Sequence, residues 1–359
     1  MRSVAVHQLV SGFGQGDAIS NEAVALRNIC RDLKFASEIY APADSIAPDS
    51  TAECHAIEDY RQKASDVVIY HYSIASAATE TFLASPARKV LIYHNITPAE
   101  FYTPFDAAIA EQLDRARAGL KETARKADAV WAVSEFNAAE LRGAGIDQVR
   151  VFPLVFRLEA LDMASDPLVM AQFAAPMKNI LFVGRIAPNK CIEELIAAFA
   201  WFNREIEPQS RLIIVGSDRS TPAYFSMLRM YVGELKLPTV CFQRFASPAG
   251  LAACYRLAHL LVTTSRHEGY CLPLVEAMYR GVPVIARDAG GMPEAMSGAG
   301  VLYQDLRPEE LAELMALVLR DGPLRSEILA SQKQRIETLL KRPVQEEFMS
   351  LLSPLIPTV

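Results

Sequence analysis

The chain has little of what would mark a nucleic-acid binder, a zinc module or a membrane-spanning protein. Basic residues are outnumbered, 36 Lys and Arg against 42 Asp and Glu, for a net charge of -6. Sequence-independent binding to nucleic acid needs many cationic contacts to phosphates, so DNA and RNA are not expected partners. Cysteine is sparse and scattered: Cys30, Cys54, Cys191, Cys241, Cys254 and Cys271 form no C-x-x-C pair and have no histidine at zinc-ligand spacing. They read as reduced thiols, which points to a cytoplasmic protein. The opening run Val4-Ala5-Val6 stops at His7 and Gln8, too soon for a signal-peptide core. No apolar stretch approaches the ~20 residues of a bilayer span, so any contact with the inner face of the cell membrane is expected to be peripheral. D-x-D is missing, and no run of carboxylates and histidines suggests a divalent-ion site, so neither metal nor cofactor is expected.

What is present is an ordinary globular composition, 51% hydrophobic and 22% charged, over 359 residues. That excludes a disordered or fibrous chain and fits two domains. Short apolar runs alternate with longer helix-periodic segments. In the first half Ser3 to Val10, Phe35 to Ala41, Asp66 to His71, Lys89 to His94, Ala129 to Ser134 and Val149 to Phe152 read as strands, with helices over Ala18 to Leu33 and Pro104 to Lys126. The second half repeats the rhythm at Ile180 to Val183, Arg211 to Val215, Thr239 to Phe242, His259 to Thr263, Val282 to Ala286 and Gly300 to Tyr303. Helices follow from about Ile192 to Phe202 and after Ser247, an N-cap with Pro248 at the first position. Alternation of this kind means α/β, with parallel, doubly wound sheets. Pro153 to Lys178 lacks periodicity and places the boundary between a first Rossmann-like domain, 1–160, and a second, 178–340. Leu306 to Val359 reads as consecutive helices. Its end, 341–359, stops against Pro354 and Pro357 and is expected to pack back on the first domain.

Three stretches carry chemistry. Ser265-Arg-His-Glu-Gly-Tyr-Cys-Leu-Pro-Leu-Val-Glu-Ala-Met follows a strand and enters a helix, so loop amides and the helix N-terminus can receive a phosphate. Glu268 and Glu276 flank the turn, and carboxylates accept hydrogen bonds from neighbouring hydroxyls of ribose or hexose. Taken singly, Glu276 equally suits the helix dipole and Glu268 a solvated surface. Phe182-Val-Gly-Arg-Ile-Ala-Pro-Asn-Lys ends a strand at Gly184 and sets Arg185, a planar fork, near Lys190, a point charge. Both suit a diphosphate, though alone they are equally solvated cations. Ser11-Gly-Phe-Gly-Gln-Gly-Asp-Ala is a glycine-rich turn whose amides could approach a phosphate, or a plain tight turn. Its alternating Gly12, Gly14 and Gly16 are not the G-x-G-x-x-G fingerprint, which argues against a dinucleotide-dependent oxidoreductase.

Together with the later Asp288-Ala-Gly-Gly-Met-Pro-Glu segment, these motifs resemble the retaining glycosyltransferases of family four, of the kind that build bacterial surface polysaccharides. The resemblance runs over almost the whole chain. It implies the GT-B architecture, two facing Rossmann-like domains with the ligand in the cleft between them, and hexosyl transfer (EC 2.4) from a nucleotide sugar to a hydroxyl of a glycan or lipid-linked glycan. It also implies roles. Glu276 would hold the donor ribose, Glu268 a sugar hydroxyl, and Arg185 and Lys190, next to Gly184, the diphosphate. The backbone of Gly269, Tyr270, Cys271 and Leu272 would meet the phosphates and base, with Gly14 closing from the first domain. His94, at a strand end in Tyr-His-Asn-Ile-Thr-Pro, matches the family's histidine beside the transferred sugar, although a strand-end histidine is also often a core or capping group. Ser134 and Asn95 would contact acceptor or diphosphate. One departure is that Pro153 is followed by Leu154-Val155-Phe156 where the family often has Asn and Gly, so hinge behaviour there does not carry over.

Donor and acceptor are less well marked. Gly16-Asp-Ala-Ile-Ser-Asn and Tyr93-His-Asn-Ile-Thr-Pro look like stretches of bacterial enzymes that build surface polysaccharides, a resemblance that implies a GDP-mannose or UDP-hexose donor, with GDP-mannose the expected one. Arg117, Lys121 and Arg125 recur every four residues and could face anionic lipid, or simply water. The alternatives to transfer are an epimerase or phosphorylase on the same fold and a catalytically silent glycan-binding subunit. A silent subunit would be expected to lose Glu268, Arg185 or Lys190, and all three are here.

Overall fold

The computed structural model describes residues 4–14, 16–244, 247–320 and 322–356. Ser3, Gln15 and Pro357, which fall within the expected first strand, the glycine-rich turn and the C-terminal stop, lie outside the described residues. The chain divides into two compact units: 1–100 with 107–157 and 343–359, and 101–106 with 158–342.

The first unit is built on a parallel sheet of seven strands: β1 (Val6–Val10), β2 (Ile39–Ala41), β3 (His55–Ala56), β4 (Val67–Tyr72), β5 (Arg88–Tyr93), β6 (Ala129–Ala132) and β7 (Val149–Val151). They lie in the order β3-β2-β1-β4-β5-β6-β7. Helices cover such a sheet on both faces, which is why β4 is buried at every position and reads as a continuous apolar run rather than an alternating one. The helix Ala18–Asp32 starts where the Asp17 carboxylate accepts from the Ser20 amide at 2.9 Å. Its inner face is Ala23, Leu26 and Cys30, and also Glu22, a carboxylate with no exposure. Ser134 caps the helix Glu135–Gly143 by accepting from the Asn137 amide at 3.1 Å. At the C-terminus the helix Val344–Leu352 belongs to this unit, where Phe348 packs within 6.0 Å of both Trp131 and Phe152.

The second unit repeats the winding with six strands: β8 (Lys178–Val183), β9 (Ser210–Val215), β10 (Val240–Gln243), β11 (Leu260–Thr263), β12 (Val284–Arg287) and β13 (Val301–Tyr303). Their order is β10-β9-β8-β11-β12-β13. All pairings in both sheets are parallel. The α/β class and the two Rossmann-like sheets are therefore as the sequence predicts, and each expected strand lies within a few residues of its expected limits. Only the two-residue β3 escapes the pattern, being too short to carry a period. The aperiodic stretch after Pro153 does contain structure: a 3-10 turn at Leu158–Asp162 and the helix Pro167–Gln172, opened by Asp166. Among the described residues, no helix is long and apolar enough to cross a membrane.

Candidate active site

In the second unit the motif residues converge at the C-terminal ends of β8 and β11, adjacent strands of one sheet. Ligands of open α/β sheets bind at such ends. Gly184 follows β8 with a φ of 154°, and the chain then turns through Pro188–Lys190 into the helix Ile192–Trp201. Hydrogen bonds stitch this turn to the one after β11. Asn189 donates its side-chain amide to the His267 carbonyl at 3.0 Å, the Arg266 amide donates to the Asn189 carbonyl at 3.0 Å, and the Thr264 hydroxyl donates to the Cys191 carbonyl at 2.8 Å. The stitching brings Lys190 Nζ to 2.6 Å from Glu268 Oε1, with each side chain 12% exposed. Ser265 donates to the same carboxylate oxygen at 3.0 Å.

Glycines hold the Glu268 turn from behind. The Gly291 amide donates to the Glu268 carbonyl at 2.8 Å. A β-carbon on Gly291 would stand 2.2 Å from the Gly269 carbonyl oxygen, and one on Gly290, at φ 59°, would stand 2.4 Å from that of Glu268. Side chains at these two positions would drive the turn away, which gives the Asp288-Ala-Gly-Gly segment a physical reason to be where it is. The helix Leu272–Tyr279 then starts at Cys271, a left-handed residue at φ 73° with no side-chain cap, so the first amides of the helix are left for a ligand. Tyr270 and Cys271 are both buried, and burial pushes the Tyr270 hydroxyl up and the Cys271 thiol well up from their ordinary values. A neutral thiol is not a nucleophile here.

Glu276, in the second turn of that helix, accepts a 2.6 Å hydrogen bond from the Tyr255 hydroxyl on Oε2. Its other oxygen makes no hydrogen bond to the described residues. Burial raises its pKa above the usual carboxylate value, and the Tyr255 hydrogen bond pulls part of the way back. Tyr255 is a second-half residue that the motifs do not announce. Arg185 is exposed and makes no hydrogen bond or ion pair among the described residues. Of the two cations expected at a diphosphate, one is therefore held by Glu268 and the other is uncommitted.

The first unit places its candidates differently. His94 follows β5 directly. The loop beyond it is pinned by Asn95, which donates to Asn137 Oδ1 at 2.9 Å and to Glu140 Oε2 at 3.1 Å, and by Tyr93, whose hydroxyl donates to the same Glu140 oxygen at 2.7 Å. Arg117 closes this network by pairing with Glu140 and donating to the Ile96 carbonyl. Asn95, at φ 80° and 6% exposed, keeps a buried Oδ1 without a partner. Ser134 has no exposure and spends its hydroxyl as a helix cap. Gly14 has its amide on the Ser20 hydroxyl at 3.2 Å, so that amide reaches a phosphate only if Ser20 lets go. With Arg117 engaged by Glu140, the Arg117, Lys121, Arg125 row is not three free cations.

Sequence reading finds no carboxylate and histidine cluster, yet the fold makes one. Glu22, His71 and His94, from the first helix, β4 and the end of β5, bring their ligand atoms within 4.8 Å of one another. His71 Nδ1 stands 2.9 Å from His94 Nε2, and Glu22 Oε2 lies 3.2 Å from His94 Nε2 and 3.6 Å from His71 Nδ1. The Val155 amide donates to Glu22 Oε1 at 2.9 Å. Three such atoms could ligate a metal, but the two nitrogens face each other at hydrogen-bond distance, and a metal would need both lone pairs turned onto it. The arrangement is that of a shared proton. Burial lowers the His94 pKa to about 4, against the opposing pull of Glu22. For Glu22, burial raises the pKa but is outweighed by the imidazoles and the Val155 amide, and the carboxyl stays below its ordinary value. The sequence does hold a signal for Glu22, which interrupts an apolar stripe with Leu26 and Cys30 at four-residue intervals.

Residues 172–335 match the family model described as Glycosyl transferases group 1. The chain is 32% identical over 165 residues to a D-inositol 3-phosphate glycosyltransferase of Jonesia denitrificans, covering 44% of this chain and 38% of that protein. It is 37% identical over 110 residues to a GDP-mannose-dependent alpha-mannosyltransferase of Mycolicibacterium smegmatis, covering 31% and 25%. The aligned stretches thus span well under half of these relatives. Sucrose-phosphate synthase from Thermosynechococcus elongatus superimposes with a TM-score of 0.74 at 20% identity, over 98% of this chain and 99% of that one. The fold is therefore shared along nearly the whole chain, and the segment that holds Arg185, Lys190, Glu268 and Glu276 matches the group 1 glycosyl transferases.

Proposed function

We propose that the chain transfers a hexose from a nucleotide sugar to a hydroxyl of a glycan or lipid-linked glycan, with retention of anomeric configuration and without a metal. The observation that carries this reading is the Lys190 to Glu268 pair, set by paired strand ends beside an uncapped helix N-terminus. Breaking a glycosyl phosphate leaves charge on the diphosphate and an electron-poor sugar, and preorganised cations and amides supply the electrostatic help. Arg185, Lys190 and the amides from Gly269 to Leu272 take the diphosphate in this reading. Glu276 offers its uncommitted oxygen to the ribose, and Glu268 holds a sugar hydroxyl. His94 stands beside the transferred sugar. With no carboxylate assigned as a nucleophile, the acceptor hydroxyl attacks from the face the diphosphate leaves, and a departing phosphate oxygen takes its proton. A trapped glycosyl-enzyme adduct would overturn that step.

Mannose from GDP-mannose is the donor we favour, supported by the mannosyltransferase among the relatives. The test is a hydrolysis and transfer screen across nucleotide sugars with and without EDTA. Turnover of one nucleotide sugar that EDTA does not change is expected. Turnover abolished by EDTA would contradict metal independence, and no turnover of any donor with any glycan would favour a silent glycan-binding subunit.

A further inference from the structure

We propose that the Ala23 carbonyl, acting through Gln8 and His71, fixes His94 as the tautomer protonated on Nε2, leaving Nδ1 as a lone-pair acceptor for a sugar hydroxyl. The argument follows the donors one at a time. A backbone carbonyl only accepts, so the Gln8 side-chain nitrogen faces Ala23 and donates at 2.8 Å. Gln8 Oε1 is thereby turned to His71 Nε2 at 2.9 Å. An oxygen facing that nitrogen requires a hydrogen on it, so neutral His71 carries its proton on Nε2 and a lone pair on Nδ1. That lone pair faces His94 Nε2 at 2.9 Å, which must then donate.

Glu22 agrees with this tautomer without fixing it. Its Oε2 makes no hydrogen bond among the described residues but lies 3.2 Å from His94 Nε2, where a bare nitrogen would set lone pair against carboxylate. A proton on Nε2 avoids that opposition. Histidine with one ring proton there has a bare Nδ1. No hydrogen bond from the described residues reaches that atom, and the side chain is 3% exposed where Glu22 and His71 have none. The charged and titratable groups around the ring are Glu22 and Asp17 on the first helix and its cap, and His71 on β4. Gln8, His71 and Glu22 are therefore positioning residues, and His94 accepts from a hydroxyl rather than presenting a cation.

The hydroxyl role rests on the placement of His94 beside the transferred sugar, and the test separates the two. The full chain labelled with nitrogen-15 histidine, with His94 assigned through His94→Gln, should show Nδ1 unprotonated and Nε2 protonated at neutral pH. Protonated Nδ1 would overturn the tautomer. Gln8→Met removes the oxygen that orients His71. It should mix the His94 tautomers and lower kcat about 10-fold, the lower range for loss of a supporting hydrogen bond, with donor KM little changed. A single tautomer and unchanged kcat in that variant would also overturn the proposal. Full transfer by His94→Gln would sink the hydroxyl role and the placement of His94, while the diphosphate reading would still stand or fall on Lys190.

Discussion

Two carboxylate clusters, one in each unit, are built by opposite means. Glu268, Glu276 and Lys190 sit in two continuous strand-turn-helix motifs, and adjacent strand ends bring those motifs together. Glu22, His71 and His94 come from three elements with nothing in common along the chain, and only the order β1-β4-β5 in the middle of the first sheet gathers them. The first kind of site is written locally, because turn geometry and helix entry depend on near neighbours. The second is written in the tertiary structure, and what it offers chemically is a buried, neutral, oriented imidazole rather than a cation.

The sharpest way to break the comparison is to ask which cluster carries the larger share of transfer. Lys190→Ala removes one of the two cations expected at the diphosphate and leaves Glu268 without its ion-pair partner. Donor kcat should fall about 10² to 10³-fold, the range for losing one preorganised electrostatic group at a developing charge. Glu276→Gln should act mainly on donor KM, because the proposed contact with ribose would be the same before and during the reaction. Near-normal steady-state kinetics in both variants would remove the donor-site reading, and a larger loss in His94→Gln than in Lys190→Ala would reverse the ranking of the two clusters.

A second test reads the first cluster through stability. An unfolded histidine binds a proton below its ordinary 6.5, whereas His94 in the folded chain resists until about 4. Between those values the unfolded state holds more protons, so stability is complete above pH 6.5 and falls as pH drops toward 4. For one such group the loss is about 3 kcal/mol. Glu22, whose pKa is also lowered, pushes in the same direction at the acid end. Urea unfolding followed from pH 7 to 4 should show this slope, and His94→Gln should flatten it. An equal slope in the variant would mean that His94 is already protonated or already exposed in the native state.

Legibility followed the same division. The strands were visible because buried parallel strands are apolar runs, and the donor-site motifs because glycines, cations and carboxylates cluster around each turn. Gly290 and Gly291 could be recognised as part of a pattern, but their reason, backbone of Glu268 and Gly269 within 2.4 Å of any added β-carbon, exists only in three dimensions. Ser134 shows the converse. The family resemblance implied a ligand contact for it, and the fold shows its hydroxyl as a helix cap, a demand that helix starts make and that sequence alone does not separate from binding.

The smallest effect is expected where sequence periodicity was the sole guide. Arg117, Lys121 and Arg125 share a helix face by spacing, but tertiary structure assigns Arg117 to Glu140 and the Ile96 carbonyl, leaving two exposed cations. Each basic residue near an anionic bilayer contributes about 1 kcal/mol, so two give weak attraction where a membrane-docking face needs several. Reversing both, Lys121→Glu with Arg125→Glu, should change unfolding free energy by less than about 0.5 kcal/mol, as for other surface substitutions. Sedimentation with phosphatidylserine vesicles should drop only slightly from an already low level. Strong vesicle binding by the wild type, lost on reversal, would show that the row works as a surface despite the pairing of Arg117, and that helical spacing alone had identified a second locally written site.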